Sequence, residues 1–225
     1  MPIPRPGRRR LSRAPAPRLV FRVKCPDMAK RARSTRPPDC PYITKGGLKL
    51  ACALDRFRVD VRDHVAADLG CHRGGFTDCL LQRGAARVYA VDTAYGTLEW
   101  KLRNDPRVSV RERTNLIHWT SPEPLDIVVI DAGWTRLHLG VEAALRSLKS
   151  AGLILGLLKP QYEAEESERR RGVLPLDRLP EIVSRVRTRL GKRAVVKDEA
   201  VSPFPGSGGN TEVWLLMAPR ATVRE

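Results

Sequence analysis

Asp68-Leu-Gly-Cys-His-Arg-Gly-Gly-Phe-Thr-Asp78 decides the fold of this 225-residue chain. It follows the apolar run His64-Val-Ala-Ala-Asp68 and leads into a helix-compatible run, Phe76 to Gln82. The pattern reads as strand, glycine turn, helix. A second apolar run, Arg87-Val-Tyr-Ala-Val-Asp92, ends in an acid twenty-four residues after Asp68. A glycine turn lets backbone approach a ligand, and an acid ending the next strand can accept hydrogen bonds from a ribose diol. Together they imply a nucleoside-containing cofactor. The spacing of Gly70, Gly74 and Gly75 is looser than GxGxxG, which favours a cofactor without pyrophosphate, S-adenosylmethionine, over a nicotinamide dinucleotide.

Working outward, Gly47 to Phe57 has apolar residues at helical spacing, with Thr44 or Gly46 as candidate cap. Strands are expected at Val65–Leu69, Val88–Asp92 and Val108–Arg111, with helices at Gly75–Arg83 and Thr97–Arg103. Leu125-Asp-Ile-Val-Val-Ile-Asp131 is apolar on consecutive positions, as in a buried parallel strand. Leu137–Lys149 reads as an amphipathic helix closed by Ser150-Ala-Gly152. Leu153–Lys159 reads as another buried strand, stopped by Pro160. Glu163–Arg171 is a dense charge run, expected to be a solvated loop or helix face. Leu179–Leu190 is a helix. Ala194–Lys197 and Val213–Met217 are the last strands, joined by the turn-rich loop Ser202–Asn210. The fold class is therefore α/β, a Rossmann-like, mostly parallel doubly wound sheet with an antiparallel C-terminal strand.

Composition narrows the function. Net charge is +16, and residues 1–40 hold twelve Lys/Arg against two acids, together with eight of the 18 prolines. That segment cannot bury a core and is expected to be a disordered basic arm able to bind phosphates. A transit peptide, or a true start at Met28, is the alternative. Residues 41–220 form the folded domain. No apolar run approaches the ~20 residues of a membrane span, so no membrane association is expected. The five cysteines make no CxxC pair, and His64, His118 and His138 have no neighbours at ligand spacing. Reduced thiols, no metal and a cytoplasmic location are expected.

Asp131 and Lys159 each end an apolar strand. The carboxyl edge of an open α/β sheet is where ligands bind, so this acid and this lysine arrive at one edge by independent routes.

At this point the chain resembles a known family. Tyr42-Ile-Thr-Lys-Gly-Gly-Leu-Lys-Leu50, Gly74 to Asp92, Asn104-Asp-Pro-Arg-Val108, Glu112-Arg-Thr-Asn115, Leu158-Lys-Pro-Gln-Tyr-Glu163 and Gly209-Asn-Thr-Glu212 are similar to motifs of the TlyA-type (haemolysin A) ribosomal RNA methyltransferases of the FtsJ-like superfamily. The resemblance covers about residues 41–218. It implies S-adenosylmethionine-dependent 2′-O-methylation of RNA ribose by a Lys-Asp-Lys-Glu tetrad, Lys49, Asp131, Lys159 and Glu212, with ribosomal RNA or a ribosomal subunit as partner. It also places Asp68, Gly70, Gly74, Gly75 and Phe76 around the methionine part, Asp92 at the ribose diol and Asn115 near the adenine. Phe76 reads equally as a core residue, and Asn115 equally as a cap. Lys159 acts as a base only if its pKa falls through desolvation and the neighbouring cation; Asp131 and Glu212 oppose that fall.

The chain departs from the family at three places. Cys71-His72-Arg73 replaces small residues in the turn, Ala132-Gly-Trp-Thr-Arg136 replaces a hydroxyl and aromatic pattern, and the loop after Glu163 is charged where the family is glycine-rich. Residues 1–40 are too short and proline-rich for the family's N-terminal S4 domain. A non-catalytic RNA- or ribosome-binding relative is the alternative function. A membrane-lytic protein is disfavoured by the lack of a spanning segment.

Overall fold

The structure is a computed structural model and describes residues 40–220. Most of the expected basic arm, residues 1–39, lies outside the described residues. Of the two candidate caps it is Thr44 that opens α1 (Lys45–Phe57), its hydroxyl accepting the Gly46 amide at 3.2 Å from an extended backbone. Satisfying an otherwise orphaned first-turn amide in this way stabilises a helix start by about 1 kcal/mol. The helix buries Leu50 and Leu54 completely. Cys40 is already buried in the same core, so the packed body begins at the edge of the arm.

Alternating strands and helices then follow: β1 (Val65–Leu69), α2 (Gly75–Gln82), β2 (Arg87–Val91), α3 (Trp100–Arg103), β3 (Val108–Arg111), β4 (Leu125–Ile130), α4 (Leu137–Leu145), β5 (Leu148–Leu158), α5 (Pro160–Glu163), α6 (Leu179–Leu190), β6 (Ala194–Val201) and β7 (Val213–Pro219). Among the described residues they form one sheet in the order β3-β2-β1-β4-β5-β7-β6. β1 to β5 pair in parallel, and β7 runs antiparallel to both of its neighbours, β5 and β6. The doubly wound sheet with an antiparallel C-terminal strand is thus what forms.

Three expectations shift at their edges. The helix expected over Leu137–Lys149 stops at Leu145, and Leu148 already belongs to β5. Pairing decides this: Ser147 accepts the Leu125 amide at 2.8 Å, Leu148 pairs with Leu125, and the ladder then shifts so that Ile127 meets Leu153. The expected turn at Ser150-Ala-Gly152 is that irregularity. The last strand pair is longer than its apolar stretches suggest, because β6 pairs with β7 up to Val201 opposite Val213. The helix expected over Thr97–Arg103 shrinks to α3, since the Glu99 amide is drawn to the Arg73 carbonyl at 3.3 Å.

Strand residues alternate between the two faces. Ala66, Ile127, Val129, Leu155, Leu157 and Trp214 pack with α1 and α2, whereas Ala67, Leu69, Val128, Ile130, Ile154, Leu158 and Val213 pack with α4 and α6. Continuing this parity beyond the strand ends puts Asp68, Asp92, Asp131, Lys159 and Glu212 on the α1 side. All lie at the carboxyl end of the parallel strands.

Candidate active site

Register brings the lysine and the two acids together. Leu158 pairs with Val213 in the antiparallel ladder, so the next facing pair is Lys159 and Glu212. Ile130 pairs with Gly156, so Asp131 lies opposite Leu157 and shares its face with Lys159. Lys159 Nζ reaches Asp131 Oδ1 at 2.6 Å. Lys49, one turn into α1, reaches Glu212 Oε2 at 2.5 Å, with both residues buried. All four tetrad residues expected from the resemblance therefore meet, as two ion pairs.

Burying an ion pair is seldom the cheapest way to fill a core, and removing one partner of such a pair costs about 3–5 kcal/mol. The buried Lys49–Glu212 pair, beside the half-buried Lys159–Asp131 pair at a sheet's carboxyl edge, marks a working site more than a stabilising device. Burial first pushes the Lys159 ammonium down, but the charge and hydrogen bond of Asp131, with Glu212 and Tyr162 adding, carry its pKa above the ordinary lysine value. Lys159 is thus held as a cation, and the lowered pKa needed for a free base is not found. Burial raises the Glu212 carboxyl above its ordinary value, with Lys49 opposing. Gly206 lies directly against this carboxylate: a Cβ there would stand 2.1 Å from Glu212 Oε1.

The glycine turn adjoins the tetrad. Gly70 has φ +95°, and a Cβ on it would stand 2.6 Å from the Asp131 carbonyl oxygen, so only glycine lets β1 end so close to β4. Gly74 (φ +92°) caps α2, and Gly75 packs against Thr44 and Gly47, joining the starts of α2 and α1. Asp68 is fully buried. Its Oδ2 accepts the Thr77 amide at 2.9 Å and hydroxyl at 2.7 Å, while Oδ1 has no partner. Burial, reinforced by the charges of Asp131 and Asp92 and opposed by the Thr77 hydrogen bonds, pushes its carboxyl up to about 7. Asp92 accepts the His72 amide on Oδ2 and the Ala94 amide on Oδ1, both at 2.8 Å.

The departing turn is latched outward. Arg73 pairs with Glu99 at 3.0 Å and His72, at φ +45°, offers its carbonyl to Thr97. Cys71 is buried and its thiol is pushed up by burial, which makes it inert as a nucleophile.

Two of the residues expected near the cofactor make scaffold contacts. Phe76 is a core residue, its ring 5.5 Å from that of Trp214. Asn115 is exposed and its Oδ1 accepts the Ile117 amide at 3.0 Å, a local cap of the turn between β3 and β4. Three supporting residues were not expected. Thr77 holds Asp68. Asp78 accepts the Ile43 amide at 2.8 Å and fixes the approach to α1. Glu163, read as the head of a solvated charge run, is instead buried: its Oε1 accepts the Leu137 amide at 2.7 Å, tying the loop after Asp131 to the turn after Lys159. An acid in a helix's first turn, as at Asp78, is a signal that could have found one of them; Leu137 and Glu163 are too far apart for any local rule. Beside Lys159, Trp134 is 88% exposed and packs against Tyr162, ring centroids 5.2 Å apart and planes tilted by 37°.

Comparison with known proteins gives the family. Residues 42–215 match the FtsJ-like methyltransferase family. The chain is 39% identical over 185 residues to YqxC of Bacillus subtilis, covering 77% of this chain and 64% of that protein. It is likewise 39% identical over 188 residues to the 16S/23S rRNA (cytidine-2′-O)-methyltransferase TlyA of Mycobacterium tuberculosis, covering 78% and 68%. It thus spans less than two thirds of YqxC. A solved structure described as a hemolysin, from Streptococcus thermophilus, superimposes with a TM-score of 0.78 at 32% identity, covering 81% of this chain and 69% of that one. Among the described residues no helix is long and apolar enough to cross a membrane. With the matched segment running from the approach to α1 into β7, the chain belongs to the FtsJ-like methyltransferase family.

Proposed function

We propose that this chain transfers a methyl group from S-adenosylmethionine to a ribose 2′-hydroxyl of RNA, foremost ribosomal RNA. The observation that carries the reading is the pairing of Lys159 with Asp131 and of Lys49 with Glu212 on one face of the sheet's carboxyl edge. The names of the relatives point the same way. Residues 41–220 are the catalytic domain in this reading, and residues 1–40 are a basic arm for RNA. A cytoplasmic location goes with a ribosomal substrate.

S-adenosylmethionine, when bound, supplies a methyl carbon made electrophilic by its sulfonium. The turn fits such a group. Asp68 Oδ1 is a buried acceptor lacking a donor, which an ammonium would satisfy. Each Asp92 oxygen accepts one amide and keeps a lone pair for a ribose diol. Gly70, Gly74 and Gly75 keep the turn close to Asp131 and to α1. Phe76 contributes through packing, and Asn115 through shaping the turn between β3 and β4.

A ribose hydroxyl is a very weak acid. A cation beside it lowers its pKa and stabilises charge developing on its oxygen. Lys159, held protonated by Asp131, does this as an electrostatic group and not as a base; as the oxygen takes the methyl from sulfur, its proton passes to water or to the neighbouring Asp131 carboxylate. Glu212 and Lys49 orient the ribose and fix the second half of the site. In-line placement supplies much of the remaining rate. The exposed Trp134, backed by the half-buried Tyr162, offers a stacking face for an unstacked base, as single-stranded RNA recognition uses.

Transfer of tritiated methyl groups to ribosomal subunits, wild type against Lys159→Ala, tests the reading. Labelling is expected to drop about a hundred-fold or more, with calorimetric affinity for S-adenosylmethionine little changed. Equal labelling would sink the mechanism, and a wild type that binds no cofactor would favour the non-catalytic alternative.

A further inference from the structure

Between α5 and α6 the chain doubles back in a small hairpin. Arg170 and Val173 form its bridge, exchanging backbone hydrogen bonds at 2.8 and 3.0 Å, and Arg171 (φ +50°) and Gly172 (φ +79°) make its tip. Arg170 and Arg171 are exposed, and neither guanidinium meets a carboxylate among the described residues. Other arginines around the same segment are compensated: Arg136 pairs with Glu165 at 3.7 Å, Arg185 with Glu168 at 2.9 Å and Arg189 with Glu163 at 3.4 Å. Arg169 meets no carboxylate among the described residues either, but it is half-buried, with its Nε shut away from solvent. The tip is therefore where positive charge is left over.

The tip is also fastened to the catalytic rim. Asn210, buried, donates from Nδ2 to the Gly172 carbonyl at 3.2 Å and to the Ser207 carbonyl at 3.0 Å. Its Oδ1 accepts the Leu174 amide at 2.9 Å, which leaves the side-chain amide fully engaged. Its carbonyl accepts the amide of Gly206, the glycine that lies against the Glu212 carboxylate. Asn210 precedes Glu212 by two residues, at most about 7 Å of chain. A solvated charge run needs no such anchoring.

We propose that Arg170 and Arg171 grip phosphates of the RNA strand flanking the ribose held by the tetrad, with Asn210 setting the distance between grip and site. The guanidinium fork matches phosphate oxygens in a bidentate manner, and a strand entering a site rimmed by this hairpin presents such oxygens. The inference rests on the RNA-methyltransferase reading and names where that substrate is held.

The test is filter binding of labelled ribosomal RNA to the full chain across a salt series. For Arg170→Gln with Arg171→Gln, affinity is expected to fall roughly ten-fold, alike for different sequences. The slope of log affinity against log salt is expected to shrink by roughly 1.4–1.8, for two phosphates. KM for RNA rises, while kcat, cofactor affinity and melting temperature stay at wild-type values. The Arg170→Lys, Arg171→Lys pair keeps the slope. Arg187→Gln with Arg193→Gln is the control, removing the same charge from residues paired with Glu199 and Glu142. An unchanged slope in the tip variant, or an equal loss in the control, overturns the grip. Binding is read without turnover, so a protein that shows the slope change yet methylates nothing refutes the activity and leaves the grip standing.

Discussion

Asp68 carries a strongly perturbed carboxyl in the glycine turn proposed to hold the cofactor. Its carboxyl is pushed up to about 7, and one of its oxygens has no partner. The unfolded chain releases that proton near 3.9. Below about 4 both states hold the proton and the group contributes no slope. Between about 4 and 7 the folded state alone keeps it, so stability falls as pH rises through that window; above 7 the loss is complete. Compared with Asp68→Asn, the wild type is expected to lose roughly 1.4 kcal/mol per pH unit across the window, read from denaturant melts of the cofactor-free protein. Parallel stability curves would contradict this account. At the same scale, Asp131 and Lys159 were legible as strand ends with chemistry. Lys49 and Glu212 were not legible from the residues, because the contact that explains them spans 163 positions; only the resemblance pointed to them. The protonation of Lys159 follows from the closeness of Asp131, which only the fold brings about.

At the scale of elements, the starts of α1 and α2 meet through glycines. A Cβ on Gly75 would stand 2.1 Å from Thr44 Oγ1 and 3.1 Å from the Gly47 nitrogen, and one on Gly47 would stand 2.4 Å from Tyr42 Cβ. Since α1 carries Lys49 and α2 follows the glycine turn, this contact sets one half of the tetrad relative to the proposed cofactor site. Gly75→Ala is expected to cost about 1–3 kcal/mol, as overpacking does, and to reduce methyl transfer more than cofactor binding. Gly46→Ala, whose Cβ would stand 3.1 Å from Thr44 Oγ1 and 3.5 Å from Phe76, should cost less. Thermal melts and transfer assays of both variants check the order, and an equal or reversed order would contradict it. β1, β3 and α6 were legible to the residue, because each apolar run is bracketed by turn formers or charges. The start of β5 and the end of β6 were not, since ladder partners decide them: Leu125 draws Leu148 into the sheet, and β7 carries the polar Lys197-Asp198-Glu199 stretch along with it.

Across the whole molecule, alternation of apolar runs gave away the doubly wound sheet and the reversed final strand. It did not reveal that β7 inserts between β5 and β6, which is what swings Glu212 beside Lys159. That insertion turns four residues scattered from position 49 to position 212 into one site on one face. The central claim is that this site methylates ribose. Its most direct test is nuclease digestion of ribosomal subunits labelled by the wild-type chain with S-adenosylmethionine, followed by mass spectrometry of the nucleosides. The account predicts the new methyl on a ribose 2′-oxygen, absent with Lys159→Ala; a methyl on a base, or none on the RNA, would contradict it.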